Sequence, residues 1–82
     1  MTAVADLTVE QAERAIRKAG DPITRPVPSD PSGYFAHGGH SYVRDGGTIW
    51  LDGTAYRIGR GSFALHLFNR LVTATLNEEP RP

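Results

Sequence analysis

At 82 residues this chain makes one domain at most, and the absence of Cys excludes both a disulfide framework and a thiolate metal site. A core of this size supplies no more than about 3–5 kcal/mol, so a partner chain or self-association is the expected source of further stability. Formal net charge is zero, from nine basic and nine acidic residues, which disfavours nucleic acid as a partner because phosphate neutralisation draws on a basic excess.

Hydrophobic residues make up 39% and charged residues 22%, ordinary proportions for a soluble globular domain. No apolar run approaches the roughly 18 residues of a membrane span. Met1 to Asp6 carries neither the basic nor the apolar segment of a signal peptide. No membrane partner and a cytoplasmic location are therefore expected.

The first element is a helix over residues 8–19. Thr8 is a good N-cap, and Gln11 three residues on completes a capping box. Val9, Ala12, Ile16 and Ala19 recur at spacings of three, four and three, which makes one narrow helical stripe. Glu10/Arg14 and Glu13/Arg17 stand on the opposite face in the favourable acid-first i,i+4 order. Gly20 followed by Asp21-Pro22 stops the helix. So thin a stripe predicts a helix laid closely over a sheet or another helix.

Residues 21–40 combine Pro22, Pro26, Pro28 and Pro31 with Gly33, Gly38 and Gly39. Proline removes backbone donors and favours extended geometry, so this stretch reads as an extended Pro/Gly-rich arm. Tyr34-Phe35 places two aromatics in otherwise polar surroundings and is expected to anchor the arm, on its own core or on a partner. Tyr34-Phe35-Ala36 is also compatible with a short edge strand.

Residues 40–58 read as a three-stranded antiparallel meander. Asp45-Gly46 and Asp52-Gly53 are favoured central pairs of two-residue hairpin turns, which delimit His40–Arg44, Gly47–Leu51 and Thr54–Ile58. The second turn sets Leu51 opposite Thr54, Trp50 opposite Ala55 and Ile49 opposite Tyr56. The first sets Val43 opposite Thr48 and Tyr42 opposite Ile49. Alternation then gives one apolar face of Tyr42, Ile49, Leu51, Tyr56 and Ile58, expected to meet the helices. The other face carries Val43, Thr48, Trp50, Ala55 and Arg57, with Trp50 expected to be partly exposed beside Arg57.

Ser62 is the expected N-cap of a last helix over 62–77. Phe63, Ala64, Leu65, Leu67, Phe68, Leu71, Val72 and Leu76 make an apolar stripe wide enough to be buried on more than one side, by the sheet and first helix or by a second copy. Residues 78–82 form a polar tail, and Glu78 and Glu79 oppose the helix dipole, so that end is expected to fray.

Chemistry-bearing patterns are sparse. His37-Gly38-Gly39-His40, with His66 elsewhere and Asp30 or Asp45 to complete a set, is the one candidate metal constellation, but a flexible Gly-Gly spacer works against a rigid ligand frame. No metal, cofactor or catalytic residue is assigned. Gly59-Arg60-Gly61 leads from a strand into a helix as phosphate loops do, without the Lys-Ser/Thr or the dinucleotide fingerprint. The order α-β-β-β-α, with Ile49-x-Leu51-x-Gly53 followed by Tyr56, Gly59, Gly61 and Ser62, resembles the second half of double-stranded-RNA-binding domains. Those domains use a Lys pair at the start of the last helix, where this chain has Phe63-Ala64, so the resemblance implies an element order and no phosphate contact.

The reading is an α+β fold of N-terminal helix, arm, three-stranded meander and C-terminal helix. The expected function is a small non-catalytic protein-protein interaction module that self-associates, in the manner of a regulator, phage-type inhibitor or virion component. Tyr34, Phe35, Trp50 and Arg57 are the expected contacts, since aromatic and Arg side chains dominate binding hot spots. The alternative is a nucleic-acid-binding regulator using Arg44, Arg57, Arg60 and Arg70.

Overall fold

The computed structural model describes residues 8–78, so of the expected tail only Glu78 lies among the described residues. The capping box forms as expected: Thr8 Oγ1 accepts from Gln11 N and Gln11 Oε1 from Thr8 N, each at 3.0 Å. It opens helix α1, Val9–Ala19, whose stripe buries Val9, Ala12 and Ile16. The helix stops at Gly20 because the chain there runs against the sheet. A Cβ at this position would lie 2.7 Å from Ile58 Cδ1 and 3.2 Å from the Arg57 carbonyl oxygen.

The arm is not free of secondary structure, and the three-stranded meander is part of a five-stranded sheet. Strands β1 (Asp21–Ile23), β2 (Gly33–His37), β3 (His40–Asp45), β4 (Thr48–Leu51) and β5 (Thr54–Arg57) lie in the order β1-β5-β4-β3-β2, every pair antiparallel. Both ends of the arm are thus the two edge strands. Pro22 is tolerated because an edge strand needs no outward donor. Gly38 and Gly39, with φ of +60° and +85°, make the tight turn that pairs β2 with β3, the role mirror-image hairpin turns reserve for glycine. The extra strands also depart from the element order of double-stranded-RNA-binding domains.

The second Asp-Gly turn has the expected register, with Leu51 opposite Thr54 and Trp50 opposite Ala55. The first does not. Asp45 pairs with Thr48 and Tyr42 with Leu51, so Gly46-Gly47, not Asp45-Gly46, forms the turn. Asp45 is occupied elsewhere: its Oδ1 accepts from Ser32 Oγ at 3.1 Å, and Ser32 Oγ accepts in turn from Gly46 N at 3.2 Å. The displacement is two positions, an even number, so every side chain keeps its predicted face.

Tyr42, Ile49 and Leu51 meet α1 and helix α2 (Gly61–Asn77) in the main core, together with Ile16, Ala64, Leu67, Phe68 and Leu71. On the other face Val43, Trp50 and Ala55 form a second cluster with Ile23 against it. Trp50 is fully buried, 0% exposed, which corrects the expectation of a partly exposed group. Its Nε1–H donates to the Arg25 carbonyl at 2.9 Å, and the Arg25 guanidinium lies 5.8 Å from the ring centroid. Residues 24–32 therefore cross this face from β1 to β2. Four inter-strand steps span about 19 Å, and a stretch of this length in polyproline geometry reaches about 28 Å. The prolines suit the crossing, because they bring few backbone donors to an apolar surface.

Helix α2 starts one residue early. Arg60 is the N-cap, without a side-chain capping bond, and Ser62 lies within the first turn. At the other end the Glu78 carboxylate accepts from Val9 N at 2.6 Å. The glutamate expected to fray one helix instead caps the N-terminus of the other, where negative charge is favourable.

Candidate functional site

The sequence-predicted contact residues do not form one patch. Tyr34 is 64% exposed on β2. Phe35 is half-buried on the opposite face, packed against the main core and stacked on Tyr42 with centroids 6.4 Å apart. Trp50 is buried and unavailable to a partner. Arg57 is exposed on β5, between Thr48 and Asp21 in register. It stands three strands, about 14 Å, from β2.

The arginine set is likewise divided. Arg44 shares the helix-covered face with Tyr42, is half-buried, and donates from Nη1 to the Gly46 carbonyl at 3.1 Å. Arg57 points from the other face, Arg60 caps α2, and Arg70 sits half-buried on that helix. No single surface carries all four. Arg60 does line a shallow groove with Ile58, Ser62, Phe63 and His66.

What the fold brings together at its surface is the β2 edge and one flank of α2. The pairs Gly33↔Arg44, Phe35↔Tyr42 and His37↔His40 face β3 around a two-residue turn. The backbone groups of Tyr34 and Ala36 therefore point outward from the sheet. Gly33 lies under α2: a Cβ there would come 3.3 Å from Phe68 Cε2. Leu65, Val72 and Leu76 follow Phe68 around the helix on the side away from its buried stripe. Leu65 is 43% and Leu76 48% exposed. An apolar row thus runs beside a strand that, among the described residues, no other strand pairs on its outer side. The opposite edge is three residues long and contains Pro22, both devices that close an edge.

A second convergence lies at the other end of β3. Glu13 of α1, His40 at the start of β3 and Asp52 in the β4–β5 turn bring one ligating atom each within 4.8 Å of one another. His40 Nδ1 is 3.9 Å from both Glu13 Oε2 and Asp52 Oδ2, and it is buried with no hydrogen-bond partner. Tyr42 donates its hydroxyl to Glu13 Oε2 at 3.0 Å. Burial first, and that hydrogen bond second, push the Tyr42 hydroxyl well above its ordinary pKa. Neither Asp30 nor Asp45 joins His40 here. Asp45 is held by Ser32, with Arg25 3.9 Å away. Glu13 carries no ligand signal in the sequence, because its i,i+4 partner Arg17 already accounts for it, at 3.0 Å.

Comparison of the chain with family models, curated proteins and solved structures finds no match. Among the described residues no helix is long and apolar enough to cross a membrane.

Proposed function

We propose that this chain is a small non-catalytic protein-protein interaction module that binds by strand addition along β2, with a second copy of itself as the occupant. The observation that carries this reading is the juxtaposition of an edge strand, Gly33–His37, whose outer side no described strand pairs, with the exposed row of Leu65 and Leu76. Strand addition takes its affinity from main-chain hydrogen bonds and its selectivity from flanking side chains. An edge strand of this length invites pairing.

The edge is self-complementary. An antiparallel copy related by a two-fold axis at Phe35 sets Tyr34 opposite Ala36 of the second copy and exchanges four backbone hydrogen bonds. No charged residue lies on β2 and net charge is zero, so two copies meet without like-charge repulsion. The α2 flanks come together on the same side as the two Phe35 rings.

Sedimentation equilibrium tests the reading. The wild-type chain is expected to be a dimer at micromolar concentration. Ala36→Pro removes only an outward-facing N–H and Leu76→Lys charges the apolar row, and each is expected to give a folded monomer. A wild-type chain that stays monomeric at millimolar concentration would sink the proposal.

A further inference from the structure

We propose that Glu13, His40 and Asp52 form a binding site for one divalent transition-metal ion of the zinc type. The three residues come from elements remote in sequence, and their ligating atoms lie within 4.8 Å of one another. A tetrahedral zinc ion with bonds of about 2.0–2.1 Å holds its ligand atoms about 3.4 Å apart. The two separations of 3.9 Å about His40 Nδ1 need a closure of about half an ångström. The carboxylate pair, within 4.8 Å, needs a closure of up to about 1.4 Å, which side-chain rotation must supply.

The supporting contacts are those a metal site requires. One oxygen of each carboxylate is tied back while another faces His40. Ser41 N donates to Asp52 Oδ1 at 2.8 Å, leaving Oδ2 directed at the imidazole. Arg17 holds Glu13 Oε1 at 3.0 Å, while Tyr42 donates to the facing Oε2 at 3.0 Å. The His40 ring is oriented by stacking on Tyr42, with centroids 5.5 Å apart at 18°. Asp52 is fixed in a left-handed turn conformation, φ +50°. Outer contacts of this kind orient metal ligands and tune their basicity.

His40 Nδ1 is buried without a hydrogen-bond partner and lies 3.9 Å from a carboxylate oxygen on either side, an arrangement that an ion between the three would complete. Buried polar atoms are rarely left so. One imidazole and two carboxylates suit zinc better than magnesium, which prefers all-oxygen octahedra. Three protein ligands leave a fourth position open for water or an incoming group.

Equilibrium dialysis of untagged, chelator-treated protein against zinc chloride tests this, with magnesium chloride as comparator. Saturable binding of one zinc per chain is expected, with no competition from magnesium. His40→Ala is expected to abolish binding, and Tyr42→Phe to weaken it about 10–100-fold. His66→Ala, on the far groove, is expected to leave it unchanged. If circular dichroism shows that His40→Ala does not fold, Asp52→Asn decides, because Asn keeps the turn and the Ser41 bond. Absence of saturable zinc binding in the wild type overturns the proposal, as does binding that survives in the folded His40 or Asp52 variant.

Discussion

The two faces of the sheet are buried by different means. On one, α1 and α2 cover Tyr42, Ile49 and Leu51 with regular elements whose backbone groups are satisfied internally. On the other, a single crossing of residues 24–32 covers Val43, Trp50 and Ala55. A helix brings its own hydrogen bonds to a core. An irregular strap must instead shed its donors, here by proline, and fasten itself by hydrogen bonds at both ends. The Arg25 carbonyl on Trp50 is one fastening and Ser32 on Asp45 the other. The comparison shows that one large aromatic and two polar contacts can substitute for a whole layer in a very small domain.

Breaking the strap side has the largest expected effect. Trp50→Ala removes the largest fully buried side chain and orphans the Arg25 carbonyl, so a loss of about 3–5 kcal/mol is expected, read by urea unfolding. A stable, folded Trp50→Ala chain would show that the strap-covered face is dispensable. Leu71→Ala, wholly buried under the helices, is expected to cost about 2–5 kcal/mol and so to match it within range.

Asp45→Ala separates fastening from burial. It releases Ser32 and is expected to lower stability by only about 1 kcal/mol. Exchange of the Trp50 indole N–H should nevertheless accelerate clearly in NMR, because that proton reports on the Arg25 contact alone. Unchanged indole exchange would mean the Arg25 end holds without the Ser32 end. The smallest effect is expected on the helix side. Glu78→Gln weakens the charge at the N-terminus of α1 by about 0.3–1 kcal/mol, measured as a small downward shift in melting temperature that high salt should erase.

What could be read from residues alone was local. The capping box at Thr8 and Gln11, the turn at Asp52-Gly53 and the face of every meander side chain all follow from interactions spanning a few positions. Where the reading fell short, a distant partner decided. Asp45 left the turn because Ser32 and Arg25 reach it from the strap. The prolines that read as an extended arm accompany two edge strands, since proline is excluded from sheet interiors and not from edges. Trp50 was placed on the correct face but given the wrong exposure, because alternation shows which way a side chain points and not what lies on top of it. Of the Glu13–His40–Asp52 cluster only His40 reads as a ligand in the sequence, since Glu13 and Asp52 have local explanations of their own on a helix surface and in a hairpin turn.

The bond between Val9 N and the Glu78 carboxylate joins the two ends of the described residues. The start of α1 and the end of α2 lie together, far along the chain from the exposed Gly38-Gly39 turn. The fold is therefore close to a ring in its connectivity. Joining residues 78 and 8 by a short linker and opening the chain between Gly38 and Gly39 should preserve every core contact. The reordered chain's melting curve, laid over that of the parent, would show how far the order of elements along the chain matters to this architecture.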